Sequence, residues 1–198
     1  MTEGEIRDMT RDVLRDKLLV AIRCTTLARS VDVARMLPHV FVDGTRRYVR
    51  YLDKQGRNRL VTVSGRTLAL LLSYLLLLCD LPQLFLFRHS TDPGKCLGSE
   101  WLAKLVLIVM DGLGIDIHQY KSHSIRGASA TLMLREGASP DLTRQRGGWA
   151  TPQSFEKHYN RLHQTIDWES ILVRSLECAR LQRPNDKDDE RPLGELLE

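Results

Sequence analysis

His39-Val40-Phe41-Val42, Tyr48-Val49-Arg50-Tyr51-Leu52 and Leu60-Val61-Thr62-Val63 are short runs rich in β-branched and aromatic residues, parted by Asp43-Gly44 and by Gln55-Gly56-Arg57-Asn58. Such runs suit a pleated, half-buried surface, and turn residues between them fold each run back on the last. The stretch predicts a three-stranded antiparallel sheet. Outward from it the pattern becomes helical. Upstream, Leu14, Leu18, Ile22 and Thr25-Thr26 recur on a helical period within residues 5–36, which read as one helix or two and stop at Pro38. Downstream, helical pattern returns at 66–79 and 99–110. The fold class is therefore α+β, mainly α-helical, with a small three-stranded antiparallel sheet on one side.

Between those two helices Leu84-Phe85-Leu86-Phe87 reads as extended, followed by a polar loop over 88–98. Gly112-Leu113-Gly114-Ile115 is the next break, and it introduces a helix holding His123 and Arg126 for which Ser122 or Ser124 is the candidate cap. Gly137, Ser139 and Pro140 end that helix and begin another over 140–145, which Gly147-Gly148 terminates. Thr151-Pro152 then signals a cap and first turn. Residues 171–181 form an amphipathic stretch, and 182–198, with Pro184, Pro192 and a cluster of acids, predict a mobile acidic tail.

A chain of 198 residues is one domain with a tail, and 42% hydrophobic content is enough for a core. The net charge of +4 comes from arginines through the middle of the chain, with carboxylates gathered at the ends. That distribution suits a polyanionic partner. Cys24, Cys79, Cys96 and Cys178 are scattered without metal-ligand spacing, so they predict reduced, mostly buried thiols in an intracellular protein and no metal site. The acidic, polar amino terminus has no signal-peptide core, and the apolar run 68–79 is too short to span a bilayer, so no membrane partner is expected.

The candidate site residues are Arg29, Lys54, His123, Arg126, Trp149 and Tyr159. Two arginines can neutralise a phosphate, a lysine can protonate a leaving oxygen, a histidine can manage a proton, and a tyrosine can attack phosphorus. Each residue also has a plainer reading. Arg29 can be a salt-bridge partner of Asp32, Lys54 a solvated charge, His123 a helix-capping histidine, Trp149 a core anchor, and Tyr159 an aromatic packing beside Phe155.

Order and spacing tip the balance. The succession Arg29, Lys54, His123-Ser124-Ile125-Arg126, Trp149 and Tyr159 on an α-β-α framework resembles the catalytic domain of the tyrosine recombinases, the phage integrase family. The resemblance covers about Asp16 to Arg161. Thr26-Leu27-Ala28-Arg29-Ser30-Val31-Asp32 is similar to the family's Thr-Gly-Leu-Arg-x-x-Glu segment, and Lys54 to Val61 to its lysine-bearing hairpin. His123 to Arg126, followed by the Glu136-Gly137-Ala138 turn, is similar to its His-x-x-Arg helix, and Gly147-Gly148-Trp149 stands where the family has Gly-His or Gly-Trp. The ten positions from Trp149 to Tyr159 exceed the commonest family spacing by one, and Ser154-Phe155-Glu156-Lys157-His158-Tyr159 leans toward the Crypton-like and DIRS-like mobile-element branch. Where the family carries a helical core-binding domain in front, at most a short helix precedes Arg29 here. The expectation is a catalytic domain alone, or binding that depends on another chain or segment.

The resemblance implies a site-specific DNA recombinase or integrase working through a 3′-phosphotyrosyl intermediate, with Tyr159 as nucleophile and no cofactor or metal. It implies Arg29 and Arg126 on the phosphate oxygens, Lys54 as general acid, His123 handling the tyrosine proton and Trp149 against the phosphate. The partners implied are double-stranded DNA and further copies of the chain, as a dimer or tetramer on DNA. On this reading 1–181 is the catalytic domain, whose helix at about 166–181 packs on its own domain or in trans. Two alternatives stand beside it: relaxation of DNA by a type IB topoisomerase-like enzyme, and a catalytically silent, domesticated DNA-binding module. Arg46, Arg47, Arg57 and Arg59 are the candidate DNA-backbone contacts, against a plainer reading as solvated charges. The expected location is intracellular, in the nucleus of a eukaryote or the cytoplasm or nucleoid otherwise.

Overall fold

The structure is a computed structural model that describes residues 6, 9–78, 85–89, 92 and 94–159, with side chains as far as 156. The predicted helix at 166–181, the tail 182–198, Cys79 and Cys178 therefore lie outside the described residues. The helical region upstream of the sheet is two helices, α1 (Arg11–Thr26) and α2 (Ser30–Ala34). Thr10 caps α1, its hydroxyl accepting from the Val13 N–H, and Leu27 ends it in the left-handed region at φ 55°. That turn redirects the chain, so Arg29 stands at the N-cap of α2.

The sheet is β1 (Phe41–Asp43), β2 (Arg46–Leu52) and β3 (Asn58–Thr62), antiparallel in the order β1-β2-β3 as predicted. Tyr48 faces Thr62, Val49 faces Val61 and Tyr51 faces Arg59. With side chains alternating across the pleat, Val49, Tyr51 and Val61 go to the buried face. Next come α3 (Gly65–Leu76), α4 (Ser99–Gly112), α5 (Ser124–Arg135), α6 (Pro140–Gly147) and α7 (Pro152–Tyr159). Ser139 caps α6 by accepting from the Leu142 N–H, and Thr151 caps α7 by accepting from the Ser154 N–H.

Two predictions need correcting. Neither Ser122 nor Ser124 caps α5: His123 occupies the N-cap position and makes no side-chain cap bond, while Ser124 Oγ accepts from the Lys121 N–H. The run ending in Leu86-Phe87 is not a strand where it is described. Leu86 N–H donates to the Met36 carbonyl and Phe87 accepts from the Leu97 N–H, so both side chains are fully buried in a bend rather than in a ladder.

The main core lies around α1, which is buried at every position from Leu14 to Arg23. Leu14, Leu18 and Ile22 meet Leu70, Leu71 and Tyr74 of α3 and Leu102, Val106 and Val109 of α4. Because α1 is enclosed, its charges need partners. Arg15 donates to Asp12 at 3.1 Å and to Asp16 at 2.9 Å. Burial alone pushes the Arg15 guanidinium down, but the two carboxylates outweigh it and hold it above its ordinary value. A second, smaller apolar cluster joins Leu27, Ala130, Trp149 and Phe155, with Met133 and Leu134 against it. It draws the α1–α2 turn, α5 and α7 together. No helix among the described residues is long and apolar enough to cross a membrane.

Candidate active site

The site is built over the small cluster. Arg29 is anchored by α2 itself: its N–H donates to Asp32 Oδ2 at 3.0 Å, and its guanidinium pairs with the same carboxylate at 3.6 Å. Asp32 is buried while a third of the Arg29 side chain remains exposed. The salt-bridge reading of Arg29 is thus correct as geometry, and it leaves part of the guanidinium facing outward.

Arg126 sits in the first turn of α5 and is buried. Its Nη2 donates to the Gly147 carbonyl at 2.7 Å, and its guanidinium carbon lies 4.1 Å from the centroid of the Trp149 ring. That separation is well inside the range of a cation–π contact. Trp149 is a core anchor as well as a platform, since its other neighbour is Phe155 at 5.0 Å between ring centroids.

The two glycines before Trp149 serve different purposes. A Cβ on Gly147 would stand 1.9 Å from Cζ3 of Trp149, so only glycine lets the ring fold back on the helix end. Gly148 takes φ 69°, the left-handed C-cap of α6.

His123 is exposed at the start of α5, one turn from Arg126. Lys54 is exposed in the β2–β3 turn, and among the described residues no hydrogen bond or ion pair joins it to the arginines. The turn around it is held by Asp53, which accepts from the Gln55 N–H at 2.9 Å, the Arg57 N–H at 3.0 Å and Arg57 Nε at 2.8 Å. Burial pushes the Asp53 carboxyl up, yet these bonds prevail and hold it below the usual carboxylate range. Tyr159 closes α7 one turn after Phe155. Its side chain lies outside the described residues.

The four candidate backbone arginines divide. Arg46 is exposed, and Arg57 is exposed with its guanidinium on Asp53. Arg47 donates to the Gly44 and Arg46 carbonyls of its own hairpin, both at 3.1 Å. Arg59 reaches across to the end of α6 and donates to the carbonyls of Gln145 and Arg146.

Three further residues lie beside the candidate site residues and were not singled out by the sequence. Tyr51 is buried on β2 within electrostatic reach of Asp32, Arg59 and Arg126; burial pushes its phenol up, with Asp32 adding to the effect and Arg59 and Arg126 opposing it. Its inward place was available from the strand alternation with Val49. Arg146 donates through Nε to the Thr25 carbonyl at 2.6 Å, through Nη1 to Thr62 Oγ1 at 3.1 Å and through Nη2 to the Thr62 carbonyl at 2.8 Å. Arg23 donates to the Ser122 carbonyl at 2.9 Å, just before His123, and burial pushes its guanidinium down to about 10.

Among the described residues no group of three His, Cys, Asp or Glu side chains is placed to hold a metal. Cys24 and Cys96 are free and partly buried, and burial pushes the Cys24 thiol up to about 11. A thiol so raised is a poor nucleophile. What the candidate residues offer chemically is cationic: Arg29, partly exposed beside Asp32, and Arg126, buried against Trp149 and the Gly147 carbonyl.

No protein-family model matches the chain. It is 31% identical over 175 residues to tyrosine recombinase XerC 2 of Ralstonia nicotianae (strain ATCC BAA-1114 / GMI1000), a match covering 86% of this chain and 48% of that protein. The chain thus spans about half the length of this curated relative. The fold is similar to the crystal structure of the XerH site-specific recombinase bound to palindromic difH substrate in a post-cleavage complex, at TM-score 0.65 and 18% identity over 81% of this chain and 47% of that one. It is also similar to the XerA recombinase, at TM-score 0.62 and 17% identity over 88% of this chain and 65% of that one. The Crypton-like or DIRS-like branch is supported by none of these. In sequence and in fold, then, the chain is similar to the tyrosine recombinases.

Proposed function

We propose that the chain cuts and rejoins double-stranded DNA at specific sites through a covalent 3′-phosphotyrosyl intermediate. The observation that carries this reading is the arginine–tryptophan seam: Arg126 stacked on Trp149 and bonded to the helix end before it, in one neighbourhood with the Asp32-braced Arg29. A paired guanidinium site of this kind suits an anion with several oxygens. Tyr159, one helical turn beyond the Phe155 that packs on Trp149, is the nucleophile.

In the proposed reaction the Tyr159 hydroxyl attacks phosphorus in line, its proton passing to His123. The bond from phosphorus to the 5′ oxygen breaks, and Lys54 supplies the proton that the departing oxygen takes up. Arg29 and Arg126 hold the non-bridging oxygens, where negative charge grows in the transition state. Attack by a 5′-hydroxyl of a second strand on the phosphotyrosyl bond reverses each transfer and frees Tyr159. Each step forms one phosphate ester as it breaks another, so rejoining needs no nucleotide. Recombination by this route acts on two duplexes and so requires further copies of the chain, as a dimer or tetramer on DNA.

Arg46, exposed on β2, is the foremost backbone contact; Arg57 is exposed too, but its guanidinium already pairs with Asp53. Arg47 and Arg59 already donate to protein carbonyls and would contribute only their remaining N–H groups. The test is covalent trapping on a pool of nicked, partly randomised duplexes, with Tyr159→Phe in parallel. Attachment that vanishes in the variant is the expected result. Duplex binding by both proteins without attachment by either would remove the enzymatic reading and leave a DNA-binding module.

A further inference from the structure

We infer that Arg146 is the positioning residue of this site, a guanidinium that holds the two phosphate-binding arginines in register without itself binding the phosphate; the inference rests on the function proposed above. Its three nitrogens each donate to a different atom of the protein: Nε to the Thr25 carbonyl, Nη1 to Thr62 Oγ1 and Nη2 to the Thr62 carbonyl. Thr25 lies in the last turn of α1, four residues before Arg29. Thr62 closes β3, the strand that returns from the Lys54 turn. Arg146 itself is adjacent to Gly147, whose carbonyl accepts from Arg126, and three residues before Trp149.

One planar fork therefore ties together the segments bearing Arg29, Lys54, Arg126 and Trp149. The two tied carbonyls belong to different elements, Thr25 to α1 and Thr62 to β3. Among the described residues no carboxylate is paired with Arg146, so the contact is a brace between backbone groups and not an ion pair. Only a guanidinium presents donors in this spread: an ammonium is a point charge whose three donors leave one nitrogen. A brace of this kind acts through geometry, and a displacement on the scale of an ångström at reacting groups slows a reaction roughly 100-fold.

The test compares Arg146→Ala, Arg146→Lys and Thr62→Val with the unaltered chain in single-turnover covalent attachment to a nicked duplex at saturating DNA. Duplex affinity, its salt dependence and the unfolding midpoint are measured beside it. Arg146→Ala is expected to bind duplex as the unaltered chain does and to attach roughly 100-fold more slowly. Free guanidinium ion should restore part of that rate, Arg146→Lys should remain slow, and Thr62→Val should be severalfold slower at an unchanged midpoint. Attachment by Arg146→Ala at the unaltered rate overturns the inference while the proposed function stands. A loss matched by an equal loss of affinity and a flatter salt dependence also overturns it, because Arg146 would then be a phosphate contact. If Arg146→Ala does not fold, Thr62→Val decides, and an undiminished rate in that variant counts against the brace. Failure of the unaltered chain to attach at all, with duplex bound, is the separate outcome that removes the proposed function itself.

Discussion

The two apolar clusters are built from the same kinds of residues but carry different responsibilities. The larger one surrounds α1 with leucines, valines and aromatics from five other elements, while on α1 Arg15 is paired with Asp12 and Asp16 and Arg23 is turned to the Ser122 carbonyl. The smaller one is four buried residues under the arginine seam, and one face of its tryptophan is given to Arg126. The difference teaches where damage should register. A defect in the large core is distributed over many neighbours and lowers stability; a defect in the small one moves Arg126 or Arg29 directly.

Leu18→Ala is the hardest test of the larger cluster. Leu18 is fully buried on α1, and its truncation should cost about 2–5 kcal/mol by chemical denaturation while the surviving folded fraction keeps its DNA chemistry. If cleavage fell further than the folded fraction, the division of labour between the clusters would be wrong. Gly147→Ala reverses the balance. The added methyl has no room beside Trp149, so the expected cost is about 1–3 kcal/mol, with loss of covalent attachment disproportionate to it. Attachment that merely tracked stability would reduce the seam to ordinary core.

Trp149→Phe sharpens the comparison more gently. The ring still packs on Phe155, but the cation–π face for Arg126 shrinks, and attachment should slow by about tenfold or less. The smallest effect is expected at Asp53→Asn, which belongs to neither cluster and holds the Lys54 turn. Because the Asp53 carboxyl is held low in the folded state, its contribution is present above its unfolded value, near pH 4, and is lost as pH falls through the folded value. The unaltered chain should therefore unfold at a higher midpoint than the variant at neutral pH, and the gap should close in acid. A gap that widened in acid would contradict the assigned hydrogen bonds.

Much of the fold was legible because it depends on neighbours in sequence. The β-branched and aromatic runs of the three-stranded sheet, the periodicity of Leu14, Leu18 and Ile22, and the Thr151 cap were read correctly. Leu86-Phe87 misled because a short apolar run fits a buried bend as well as a strand, and its backbone bonds go to Met36 and Leu97, outside the run itself. Ser122 and Ser124 misled because a hydroxyl near a helix start has several backbone groups to choose from, and Ser124 took the Lys121 N–H outside the helix.

The sequence by itself determined the element types, the order of the motif residues and the family they point to, since these reside in residue identity and local spacing. Only the tertiary structure decided that Trp149 is buried under Arg126, that Arg59 turns to the end of α6, and that Arg146 joins segments 84 and 121 residues away. The physical reason is that the partners of these arginines are mostly backbone carbonyls. Every residue carries one, so nothing in the identity of Thr25, Gln145 or Gly147 marks it as an acceptor until the chain has folded.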